Sequence, residues 1–102
     1  MRVRHTPRSS EEVARAVVQY GLASERASEA FAARLDQAVD RLRASASTFP
    51  LIPGRRRGRE IRFLSLDKYP YALIYEIVDD EVAILGLWHE KSRGEDWSRR
   101  EA

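Results

Sequence analysis

The residues with the most chemistry in this chain are His89, Lys91 and Arg93, which follow the apolar run Val82-Ala83-Ile84-Leu85-Gly86-Leu87-Trp88 at alternate positions. If the strand continues through them, all three project from one side. An imidazole that titrates near neutrality beside two cations is the raw material of an acid–base and phosphate-binding cluster. Arg62 could join it, since it lies within an expected strand and its direction is fixed. A second concentration of charge is Arg55, Arg56, Arg57, Arg59 and Arg62, five arginines against the single acid Glu60. On a chain of formal net charge +2, so local a positive patch points to an anionic partner, either nucleic acid or an acidic protein segment. Asp79-Asp80-Glu81 is the compensating acidic spot.

Each of these features has a plainer reading. His89 can equally be a strand-end residue bonded to a nearby carbonyl, and an arginine run is often just a solvated loop. Trp97 reads as a lid packed over the sheet in preference to a base-stacking platform. Tyr69, Tyr71 and Tyr75 read as structural, with Tyr75 in the core, and His5 is isolated.

Other chemistries find no support. Two histidines, no cysteine and no H-x-x-x-H or H-E-x-x-H spacing offer no metal constellation, and no cofactor is expected. Gly54 and Gly58 flank arginines and suggest a turn, not a nucleotide cradle. Without cysteine there is no disulfide framework or thiol nucleophile, which fits a reducing compartment. The run Val82–Trp88 is far short of the ~20 residues that span a bilayer, and Arg2, Arg4 and Arg8 have no apolar stretch behind them as a secretory signal requires. A soluble, cytoplasmic protein with no membrane partner is expected, and 102 residues suit a single domain over 1–102.

The elements that must position these residues follow from periodicity. Residues 1–7 alternate weakly and end at Pro7, a short first strand. Ser9 and Glu12 have the spacing of a capping box, and Val13, Val17 and Tyr20 then mark one helical face stopped by Gly21. Ser24 can cap a second helix whose apolar stripe is Ala27, Phe31, Leu35, Ala38 and Leu42. Pro50, Pro53 and Gly54 end the helical hairpin. From Ile61 the period becomes two, broken at Tyr69-Pro70. Tyr71 to Val78 and Val82 to Trp88 form two strands joined at Asp79-Asp80, and the second is apolar enough to be central or covered on both faces. The tail is polar except for Trp97, with room for a short C-terminal helix. The expected fold is α+β in the order β-α-α-β-β-β, a helical hairpin on an antiparallel sheet with the first strand at an edge.

Three ordered pieces carry a resemblance. They are Thr48-Phe49-Pro50 with the Gly-Arg-rich approach to Arg62; Tyr69-Pro70-Tyr71-Ala72-Leu73-Ile74-Tyr75-Glu76-Ile77; and the run from Val82 through His89-Glu90-Lys91-Ser92-Arg93, closed by Trp97. Together with the hairpin ahead of them they resemble the RelE/ParE superfamily of toxins from bacterial type II toxin–antitoxin systems. That resemblance implies the fold just described and a cognate antitoxin as partner in a hetero-oligomer. It implies one of two activities: inhibition of DNA gyrase, as in ParE-like members, or ribosome-dependent mRNA cleavage, as in RelE-like members. If the chain is a nuclease, His89, Arg62, Lys91 and Arg93 are the catalytic candidates. Otherwise Arg55, Arg56, Arg57, Arg59, Arg62, His89, Lys91, Arg93 and Trp97 are candidates for contacting target or antitoxin. Ala72 stands where many RelE-like members carry a basic residue, and Trp97 where nucleases often place a tyrosine. Both departures favour the ParE-like reading.

Overall fold

The computed structural model describes residues 1–53 and 58–102. Gly54, Arg55, Arg56 and Arg57, and the candidate roles attached to them, lie outside the described residues. In chain order the elements are β1 (Arg2–His5), α1 (Pro7–Gly21), α2 (Glu25–Ser45), a 3-10 turn (Ala46–Thr48), β2 (Glu60–Ser65), β3 (Tyr71–Val78), β4 (Glu81–His89) and a last 3-10 turn (Trp97–Arg99). The strands form one sheet in the order β1-β4-β3-β2.

The expected meander is present, with β2, β3 and β4 antiparallel. The sheet as a whole is mixed, because β1 pairs with β4 in parallel, Arg2 opposite Glu81 and His5 opposite Ile84. Alternating hydrophobicity places β1 on an edge but is blind to its direction, which the helical hairpin decides by where it returns the chain. The turn at Asp79-Asp80 has both residues in the left-handed region, φ 52° and 60°. Asp tolerates that region, and the resulting turn matches the twist of the two strands it joins.

The first helix begins three residues earlier than the Ser9–Glu12 capping box predicts. Thr6 is the cap, its Oγ1 accepting from the Ser9 N–H at 3.2 Å, and Pro7 fills the first helical position. Proline lacks the N–H that would be unsatisfied there, and its φ is already helical. Ser9 is fully buried and donates back to the Thr6 carbonyl at 3.0 Å, which frees Glu12 for another role. Ser24 caps α2 as expected, accepting from Ala27 N at 2.9 Å.

Phe31, Leu35, Ala38 and Leu42 are buried against Leu64, Leu73, Tyr75, Val82 and Ile84 on one face of the sheet. Tyr75 is inaccessible, and its hydroxyl donates to the Ala46 carbonyl at 2.6 Å where α2 ends. The other face carries Ile61, Ala72, Ile74, Leu85 and Trp97. β4 serves both faces by the alternation of its side chains, and its register slips between Ile74 and Tyr75: Tyr75 faces Ile84 while Ile74 faces Gly86, leaving Leu85 as an extra residue. Coverage of both faces accounts for the unbroken apolar run.

Candidate functional site

His89 ends β4 opposite Tyr71, and their rings meet edge to face at 4.9 Å. The chain turns immediately. The backbone N–H of Lys91 donates to His89 Nδ1 at 3.0 Å, and the Ser92 N–H donates to the His89 carbonyl at 2.9 Å. An Nδ1 that accepts leaves the proton of the neutral ring on Nε2. Because the strand stops here, Lys91 and Arg93 do not continue its alternation. Both are exposed in the turn and loop that follow.

Arg62 is not brought to this end of the sheet. It pairs across β3 with Tyr75, whose other partner is Ile84, five residues before His89 on β4. At about 3.3 Å per residue that is roughly 16 Å along the strand, on top of two strand spacings. Its guanidinium donates to Glu60 Oε2 at 2.8 Å and to the Phe49 carbonyl, tying β2 to the end of the helical hairpin. Arg59 is also engaged internally. It grips Glu76 through two hydrogen bonds of 2.6 and 2.8 Å and donates to the carbonyls of Ser98 and Arg100. The Glu76 hydrogen bonds raise its pKa further, outweighing the cost of burial.

The sheet face away from the helices is apolar where it is covered. Trp97 is 93% buried there, as the lid that its position suggests. A cavity of about 290 Å³ opens beside it, with Ile52, Phe63, Ala72, Ile74 and Trp88 among its walls. Ala72 thus sits on an apolar floor, with no cation in its place.

What fastens the tail is Arg100, which nothing in the sequence singled out. Its side chain is 5% exposed, lies over the Trp97 ring at 4.3 Å, and is held by Glu12 at 2.8 and 2.9 Å and by Glu95 at 2.8 and 3.0 Å. It also donates to the Leu85 carbonyl at 2.9 Å. Burial alone would lower the pKa of Arg100, but the hydrogen bonds from the two carboxylates raise it. Burial likewise pushes Glu12 up, and the Arg100 hydrogen bond, the Leu87 N–H and the nearby charges bring it below the ordinary value. The pairing of β1 stops at Ile84, so the Leu85 carbonyl and the Leu87 N–H have no strand partner on that side; Arg100 supplies the missing donor and Glu12 the missing acceptor. The approach is possible because residue 86 is glycine. A Cβ there would overlap the guanidinium and lie 2.7 Å from both Glu12 Oε1 and the Trp97 ring. The one legible hint was a glycine inside a strand, which often marks a close approach.

Residues 3–94 match the family described as the ParE toxin of type II toxin–antitoxin system, parDE. No curated protein matches the chain. Among solved structures, the "Chromosomal ParDE TA system from P. aeruginosa" superposes with a TM-score of 0.71 at 20% identity, covering 87% of this chain and 95% of that one. A family match over most of the length places the protein among small toxins on a helical hairpin and mixed sheet. The chain belongs to the ParE toxin family. The latch residues Glu95, Trp97 and Arg100 lie beyond the matched span, and no described helix is long and apolar enough to cross a membrane.

Proposed function

We propose that this chain is the growth-inhibiting half of a toxin–antitoxin pair, acting by binding DNA gyrase without bond-making chemistry of its own, and silenced by a cognate antitoxin in the cytoplasm. The observation that carries the reading is the sheet face around Ala72. There an apolar cavity walled by Phe63, Ile74 and Trp88 and lidded by Trp97 lies where a nuclease needs cations. Family membership and the remoteness of Arg62 from His89 lend support. Arg59, Arg62 and Trp97 act as scaffold, since each is committed to internal partners. That leaves His89, Lys91 and Arg93, the last two exposed, as candidates for contacts with target or antitoxin, together with Arg55, Arg56 and Arg57 on the ground of their charge alone.

The test is induced expression in bacteria with mRNA integrity and plasmid supercoiling followed together. Altered supercoiling or DNA breaks with intact mRNA is the expected result. Rapid codon-dependent mRNA cutting would instead establish the ribosome-dependent nuclease. Unimpaired growth, unchanged in His89→Ala, would leave a chain that only binds its antitoxin.

A further inference from the structure

The cavity on the sheet face away from the helices owes its volume to one small residue. Ser65, Ala72 and Trp88 stand in one row across β2, β3 and β4, and Phe63, Ile74 and Gly86 stand in the row two residues along. Side chains of both rows rise from the same face. Alanine at the centre of the first row leaves a hollow among its larger neighbours Phe63, Ile74 and Trp88. Two parts of the chain wall it in. On one side the Ile52 N–H donates to the Ile61 carbonyl at 2.9 Å and the Phe63 N–H to the Pro50 carbonyl at 3.1 Å, which holds Ile52 along the outer edge of β2. On the other side the Arg100 latch holds Glu95 and Trp97.

Size, charge and hydrogen bonding define what fits there. A dry apolar cavity of roughly 150 Å³ takes up benzene, so one of about 290 Å³ has room for two fused rings. Among the described residues the one charged side chain on its wall is Glu95, and both its oxygens are held by Arg100, at 2.8 and 3.0 Å. A charged occupant would be buried there without a counter-ion. The indole N–H of Trp88 is buried and has no hydrogen-bond partner among the described residues, whereas a buried tryptophan N–H ordinarily finds an acceptor. We infer that the cavity binds a small, uncharged, two-ring aromatic molecule carrying one hydrogen-bond acceptor, with its rings over Ala72 and its acceptor toward Trp88. The N–H is closed to solvent as the indole now lies, so it meets the acceptor by turning into the empty volume beside it. Because Glu95 and Trp97 belong to both the cavity wall and the latch, the occupant also holds the tail against the sheet. The inference does not depend on which target the toxin takes.

The experiment titrates the full chain, followed by NMR, with two probes of nearly the same shape: 1-indanone, whose ketone is the acceptor, and indane, which lacks it. Both probes should shift the amides of Ala72, Ile74 and Trp88 saturably and slow amide exchange at Trp97 and Ser98. Indanone alone should move the Trp88 indole N–H downfield, the signal being identified by its loss in Trp88→Phe. That variant also lowers the preference for indanone over indane by about threefold or more, the worth of one hydrogen bond. Ala72→Phe takes the volume that the rings need, and both probes bind it about tenfold or more weakly. If Ala72→Phe does not fold, Ser65→Phe replaces it, since Ser65 is an exposed strand position on the cavity wall. No saturable shift from either probe, or shifts that the filled variant leaves unchanged, overturns the site. An indole N–H that responds alike to both probes overturns the acceptor. Cavity signals that move with protein concentration alone identify a second copy of the chain as the occupant, and overturn the small molecule.

Discussion

Replacing Arg100 with alanine tests the structural argument most directly. The guanidinium makes five hydrogen bonds, four to the carboxylates of Glu12 and Glu95 and one to the Leu85 carbonyl. Removing one partner of a buried ion pair costs about 3–5 kcal/mol, because the other is left without its counter-charge. Here the carboxylates are less enclosed than the cation, with side chains 25% and 36% exposed, and water can recover part of their loss. The Leu85 carbonyl keeps only the longer Thr6 hydroxyl contact at 3.5 Å, and Trp97 loses the cation above its ring. Allowing for rehydration, the cost is about 2–4 kcal/mol, a large share of the ~5–15 kcal/mol typical of a whole domain. Urea unfolding of the two proteins reads this as a fall in the midpoint of roughly 1–3 M, with Trp97 fluorescence shifted toward that of an exposed indole. A variant within about 0.5 kcal/mol of the parent, the range of ordinary surface changes, would refute the idea that Arg100 fastens the tail.

Three further outcomes follow from the same geometry. Gly86→Ala drives a methyl into the Arg100–Glu12–Trp97 junction and should destabilise by about 1–3 kcal/mol in urea unfolding, and by less once Arg100 is already alanine, when only the Glu12 and Trp97 contacts remain. Glu12 has its folded pKa depressed from 4.5, so its contribution is complete above that value and is lost as pH falls through the lower folded one. Acid unfolding should accordingly begin at higher pH in the parent than in a Glu12→Gln, Arg100→Met protein, where this charge pair is gone. Tyr75 is pushed up to about 12 by burial. Its neutral form is the stable one, so stability holds below pH 10 and declines as pH rises toward 12, whereas Tyr75→Phe loses that decline but costs about 1–3 kcal/mol at neutral pH through the orphaned Ala46 carbonyl.

The fold was readable because its main elements announce themselves by period. The α2 stripe, the Ser24 cap and the doubly covered β4 all involve residues whose burial is coupled to near neighbours in sequence. The misreadings share a different physics. Ser9 and Glu12 have the spacing of a capping box, yet Thr6-Pro7 starts the helix because Thr6 is still bonded to β4 through Ile84, a contact 78 residues away. Arg59 looked like part of a free basic patch, but Glu76 sits buried beneath it on the adjacent strand, and no local pattern reveals that pairing. Arg100 sits in a polar tail, and its burial depends on Glu12, Gly86 and Glu95 converging from three parts of the chain.

Glu12 connects the latch to β4 beyond the end of β1. Its Oε1 holds both the Arg100 guanidinium and the Leu87 N–H, so the carboxylate that anchors the tail also satisfies a strand donor that β1 does not reach. Glu12→Ala therefore does two things: it weakens the tail as Arg100→Ala does, and it leaves the Leu87 N–H without its acceptor. Amide exchange in the two variants separates the effects. Faster exchange at Leu87 in Glu12→Ala than in Arg100→Ala means that the carboxylate holds the strand directly, and equal exchange means that it acts only through Arg100.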